Sequence, residues 1–290
     1  MRSLLFVPGD SEKKLDKGFA TGADVVIVDL EDSVAPDRKP AAREISAEFV
    51  AARRGAAAPR IYVRINDLDS GMADADLAAV IAARPDGVML PKCASSADLA
   101  RLSVKLRVHE AEAGLADGAT SIIAIMTETA RGLLAASSYL QPMPRLAGLT
   151  WGAEDLSADI GARQTRDAAG RYTDVFRLAR AMTLLAATAT ESAAIDTVYV
   201  DFRDLAGLAA ECAEAERDGF TAKMAIHPAQ VPVINSAFTP SLESVEEARA
   251  LIAAFAEAGN PGVVGIGGKM FDRPHLRRAE RLLARAGPIV

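Results

Sequence analysis

The chain of 290 residues is poor in the side chains that most often carry metal and redox chemistry: it has two cysteines, three histidines and one tryptophan. Cys93 and Cys212 lie far apart with no export signal ahead of them, so they are expected to be reduced thiols in the cytoplasm and not a disulfide. So few His and Cys leave no cluster with zinc-ligand spacing. No run of 18 apolar residues occurs, which removes a membrane span, and the first strand-like run begins at Ser3, too early for a signal peptide. A basic excess is missing as well. Thirty-three Lys and Arg against 39 Asp and Glu give a net charge of −6, and the arginines are scattered, so nucleic acid is not an expected partner. There is no G-x-S-x-G elbow, and the glycines of VGIGGK do not stand between a strand and a helix in phosphate-cradling order.

The chain is rich, instead, in short apolar runs separated by helical stretches. The runs are Leu4–Val7, Val25–Leu30, Ile61–Ile65, Gly87–Leu90, Ile122–Met126, Leu146–Trp151, Thr197–Val200 and Ala222–Ile226. They read as continuous apolar strands and not as alternating ones, which suits a parallel sheet buried on both faces. Between them, Asp10 or Ser11, Ser95 or Ser96, and Thr173 can each open a helix. Strand–helix alternation repeated eight times predicts a (β/α)8 TIM barrel over residues 1–239. Residues 153–172 read as a long polar connection, a length that usually serves function. Residues 240–290 read as a C-terminal helical arm: a helix from about Glu243 to Ala258, a Gly/Pro-rich hinge over Gly259–Gly268, and a last helix from Pro274. It is expected to pack on the barrel or on a neighbouring subunit.

In such barrels the active site lies at the C-terminal strand ends. The residues at or just past the ends of the runs are polar: Pro8-Gly9, Glu31-Asp32, Arg64 with Asn66, Lys92, Glu128, Glu154-Asp155, Asp201 and His227. Any one carboxylate could merely cap the next helix, but so many converging on one face is hard to explain that way. Glu128 and Asp155 end neighbouring strands about 4.8 Å apart, so both can share one small hard cation. Mg2+ suits such a pair, because it takes one or two protein carboxylates and leaves its other positions to water and substrate. Arg64 needs an anion, which a substrate carboxylate, a thioester oxyanion or a neighbouring Asp would supply; a structural pair with Glu31 or Asp32 is the alternative. Lys92 is a point charge suited to a carboxylate or phosphate, or an ion-pair partner. His227 reads as ordering the last loop, and Trp151 as packing. Lys13, Lys14, Lys17, Arg38 and Lys39 are candidates for anionic ligand groups or a solvated helix face.

The stretches RSLLFVPGD, LEDSV, VRIN, MLPK, TETARG, WGAEDLSADIG, YVDFRD, AIHPAQ and GGKMFD occur in this order from Arg2 onward. Together they resemble the citrate lyase β-subunit-like family of the HpcH/HpaI aldolase superfamily, which includes malyl-CoA, β-methylmalyl-CoA and citramalyl-CoA lyases. The resemblance implies a trimeric or hexameric enzyme that uses Mg2+, with Mn2+ as a substitute, on acyl-CoA and 2-oxo acid substrates. It implies that Glu128 and Asp155 hold the metal and that Arg64 stabilises the enolate or thioester oxygen. Glu31 and Asp32 would hold water at the metal and orient Arg64, and Pro8, Gly9 and Lys92 would lie by the CoA thioester and phosphates. Asp272 would be the acid/base brought from a neighbouring subunit. Related 2-oxo-acid aldolases carry a catalytic His after the second strand; Glu31-Asp32-Ser33 stands here, which counts against free-acid aldolase activity. Two rivals share the site: a malyl-CoA thioesterase, and a thioester-binding β subunit that acts only inside a larger lyase complex.

Overall fold

The computed structural model describes residues 1–53, 55 and 59–286, so the last four residues of the expected arm lie outside the described residues. Eight parallel strands close into a barrel in chain order, with helices between them. They are β1 Ser3–Pro8, β2 Val25–Asp29, β3 Arg60–Arg64, β4 Gly87–Leu90, β5 Ser121–Ile125, β6 Leu146–Thr150, β7 Ala193–Asp196 and β8 Ala222–Ala225. The expected TIM barrel is therefore present. Residues Met1–Asn235 make one compact unit and those from Ser236 a second. Among the described residues no helix is long and apolar enough to cross a membrane.

The barrel interior is filled by residues two apart along their strands: Leu4 in β1, Val25 and Ile27 in β2, Tyr62 in β3, Ile123 and Ile125 in β5, and Ala222 and Met224 in β8. Continuing the same phase by one step reaches Asp29 in β2 and Arg64 in β3, which are register partners. The apolar layers thus end in a polar one at the C-terminal rim, where the site is built.

Three expectations need correction. The seventh strand is Ala193–Asp196, not Thr197–Val200, and Val200 is exposed. The Thr-Val-Tyr-Val run has the higher β propensity, but AAID holds the place because its charge is matched by tertiary partners. Asp196 accepts from Lys223 Nζ at 2.8 Å and from the Trp151 indole at 2.8 Å, and Arg180 Nε lies 3.3 Å away. Residues 153–172 are not all loop, since a helix spans Ala153–Asp159. The segment over 259–268 is not a plain hinge either. In the second unit, β9 Val263–Ile266 and β10 Lys269–Asp272 form an antiparallel hairpin. Its turn is Gly267-Gly268, with φ of +56° and +78°, the left-handed pair that a two-residue hairpin turn needs. Helices Leu242–Glu257 and Arg273–Ala286 flank it, and Phe255, Val264 and Leu276 make a small core there.

Candidate active site

Arg64 is fixed before any ligand is considered. Its Nε and Nη2 donate to the two oxygens of Asp29 at 2.6 and 2.7 Å, a planar fork onto a carboxylate. Asp29 also accepts from the main-chain N–H groups of Glu31 at 2.9 Å and Ser33 at 3.1 Å, so the LEDS turn wraps round it. Burial alone would raise the Asp29 carboxyl, but the Arg64 guanidinium and these donors hold it below the usual range. Arg64 Nη1 lies 3.0 Å from Glu31 Oε2, and the guanidinium rests 4.8 Å from the centre of the Phe6 ring. Sequence alone suggests Glu31 or Asp32 as the structural partner of Arg64; it does not single out Asp29, which is the main one.

A second group forms round Lys92. Its main-chain N–H donates to Glu128 Oε2 at 2.5 Å, and its ammonium contacts Glu31 Oε1 while lying 3.5 Å from Asp155 and 3.8 Å from Asp32. Glu31, Asp32, Lys92, Glu128 and Asp155 are therefore gathered in one place. Glu128 is 3% exposed, and burial first, then the neighbouring Asp155 carboxylate, push its carboxyl up to about 8. Asp155 stands in the first turn of the helix Ala153–Asp159. Gly152 just before that helix makes room for Glu128, since a Cβ there would fall 2.7 Å from Glu128 Cγ. Burial also raises Glu31, against the pull of Arg64 and Lys92.

A cavity of about 300 Å³ opens beside Arg64, Glu128 and Asp155, with Phe6, Ile125 and Met224 supplying its apolar wall. Pro8 lines it, and Gly9 donates its N–H to the Asp29 carbonyl at 2.8 Å. A buried, electrically strained carboxylate beside a second one fits a divalent cation. Among the described residues no three His, Cys, Asp or Glu side chains are placed to close round a metal. Two neighbouring carboxylates are a donor chemistry that suits Mg2+ better than zinc.

The other candidates separate. Lys39 is not a surface cation: it is buried, and its ammonium donates to the carbonyls of Leu30 at 2.8 Å and Glu31 at 3.0 Å and to Asn66 Oδ1 at 2.7 Å. It pins the LEDS turn from beneath. Lys13, Lys14, Lys17 and Arg38 are exposed. His227 stacks on Phe202 at 4.7 Å and accepts from the Ala229 N–H at 3.2 Å, a loop-ordering arrangement. Trp151 is fully buried. In the second unit, Asp272 ends β10 directly before the last helix, and its Oδ1 lies 2.5 Å from His275 Nδ1. His275 holds that carboxyl below the usual range; the i,i+3 spacing of the two is the signal in the sequence that would have found the pair.

With this geometry in hand, residues 2–228 match the HpcH/HpaI aldolase/citrate lyase family, and the chain belongs to it. It is 36% identical to the (3S)-malyl-CoA thioesterase of Cereibacter sphaeroides, covering 99% of this chain and 95% of that one. It is 35% identical to the mitochondrial citramalyl-CoA lyase of Mus musculus, over 99% of this chain and 86% of that one. Among solved structures, protein CitE from Mycobacterium tuberculosis, in complex with magnesium, acetoacetate and coenzyme A, superposes with a TM-score of 0.79 at 37% identity, over 99% and 98% of the two chains.

Proposed function

We propose that this family member is a Mg2+-dependent carbon–carbon lyase acting on acyl-CoA thioesters. It would cleave, or in reverse form, a 3-hydroxyacyl-CoA such as malyl-, methylmalyl-, citramalyl- or citryl-CoA, giving a 2-oxo acid and acetyl- or propionyl-CoA. The observation that carries this reading is the buried Glu128 carboxylate, destabilised by Asp155, facing the same cavity as a guanidinium held rigid by Asp29. Mg2+, or Mn2+ in its place, would be held by Glu128 and Asp155 and would polarise the hydroxyl and carboxylate oxygens of the substrate.

In the cleavage direction the hydroxyl gives its proton to the Asp272 carboxylate, the bond between the carbinol carbon and the thioester α-carbon breaks, and the electron pair moves into the thioester enolate. Arg64 offsets the charge on the enolate oxygen. Its five N–H groups outnumber its three contacts, so donors remain for a ligand. Because Asp29 has already oriented it, no reorganisation is needed, and preorganised charge of this kind is typically worth ~3–4 kcal/mol. Glu31 and Asp32 order water and steady Arg64, while Pro8, Gly9 and Lys92 border the thioester. Asp272 returns a proton to the enolate carbon, or removes one in condensation. The tail from residue 240 would supply it across the interface of a trimer or hexamer.

The test is a coupled assay of the pure protein on the four thioesters with products identified. A 2-oxo acid with acetyl- or propionyl-CoA supports the lyase. The likeness to a (3S)-malyl-CoA thioesterase favours one alternative, hydrolysis at the same site, for which malyl-CoA gives malate and CoA with no glyoxylate. A pure chain inactive on every free CoA ester would instead favour a subunit of a larger complex.

Arg64→Lys is expected to lower kcat about a hundredfold, with a smaller rise in KM, because an ammonium cannot span Asp29 and a substrate oxygen together. Steady-state kinetics decide it; a change in KM alone would make Arg64 a uniform binding residue.

The metal reading also predicts a pH dependence. Glu128 binds its proton more tightly folded than unfolded, so its contribution to stability is present at low pH and is lost as pH rises through about 8. Metal binding needs the ionised form. The rise in Tm on adding Mg2+ should therefore be larger at about pH 8.5 than at about pH 6. Calorimetric scans showing the same increment at both would count against Glu128 as a ligand.

A further inference from the structure

Lys92 adopts φ +50°, a left-handed conformation that strains an L side chain, in the loop after β4. That backbone turns its N–H onto Glu128 Oε2 at 2.5 Å, while the side chain runs back so that the ammonium meets Glu31 and stands 3.5 Å from Asp155. One residue thus touches both carboxylates of the acidic pair, one with its main chain and the other with its charge. Arg64, the neighbouring cation, is committed to Asp29 and Glu31, so among the described residues Lys92 is the cation that faces Asp155.

We propose that Lys92 is a positioning residue that competes with the divalent cation for Asp155, setting a weak and readily exchanged metal site. This rests on the assignment of Glu128 and Asp155 as metal ligands. The main-chain bond fixes one oxygen of Glu128, a residue that lines the cavity, and does not engage the other. The ammonium shares the Asp155 carboxylate with any cation placed there, and two like charges on one carboxylate repel. Metal affinity is therefore lower than the two carboxylates alone would give.

Mn2+ titration followed by electron paramagnetic resonance reads this without turnover. Lys92→Gly removes the ammonium while keeping, and easing, the left-handed backbone and its N–H to Glu128. Lys92→Met removes the charge but keeps the stem. Both should bind Mn2+ more tightly than wild type, by about tenfold. A residue that merely braced the site would weaken binding when lost, so equal or weaker binding by Lys92→Gly overturns the proposal while leaving the metal site standing. A wild-type protein that takes up no Mn2+ would overturn the metal assignment, and this inference with it.

Discussion

Glu128→Ala protein is expected to keep its fold and lose metal-dependent turnover by roughly a thousandfold or more, on the order of 4 kcal/mol of transition-state stabilisation. The two halves of that expectation have separate causes. Glu128 follows β5 at the rim, outside the apolar layers that hold the barrel closed. Its charge is disfavoured by burial and by Asp155, so removing it relieves repulsion even as it orphans the Lys92 N–H. Glu128→Gln keeps the shape and still accepts that bond, which makes it the cleaner probe of charge. Asp155→Ala should behave alike, because its side chain is partly exposed on the first turn of a short helix. Melting curves and turnover across a Mg2+ series decide the matter. A Glu128→Ala protein retaining most activity at saturating Mg2+ would remove the metal assignment.

The barrel was legible because a parallel strand buried on both faces leaves a mostly apolar run, and seven of the eight strands fall where such runs stand. The exception is AAID, whose place in the sheet the neighbouring TVYV run would take by sequence alone, and only Lys223, Arg180 and Trp151 reveal why it is a strand. The same physics hid part of the site. Carboxylates that come after apolar runs, such as Glu128 and Asp155, stand out as strand-end groups. Asp29 lies inside its strand, in phase with Val25 and Ile27, so it reads as the end of an apolar run until β2 and β3 are set in register and Arg64 appears opposite. The contact at Gly152, the twist at Lys92 and the burial of Lys39 each depend on a residue distant in sequence. The hairpin signal was present as Gly267-Gly268 between two β-like runs, but a glycine-dense segment reads equally as a hinge.

The sharpest expected result concerns Asp272, where two explanations share one geometry. The residue stands at the start of the last helix, and its contact with His275 three positions on is the kind that ties down a helix N-terminus. A capping role alone would make it structural. Asp272→Asn separates the roles, since Asn caps a helix about as well as Asp but cannot hold or return a proton to an enolate carbon. The variant should melt like wild type and lose turnover by roughly a thousandfold. Wild-type activity in Asp272→Asn would leave only the cap. If the acid is delivered across a subunit interface, Glu128→Ala and Asp272→Asn proteins, each inactive alone, should complement when refolded together. In a randomly mixed ring at equal amounts, about a quarter of sites would combine an intact metal pair with a neighbour's intact Asp272. An acid acting within its own chain leaves every site with one defect, and the mixture then stays inactive. Recovery near one quarter of wild-type turnover therefore reports the catalytic acid and the subunit that provides it in one measurement.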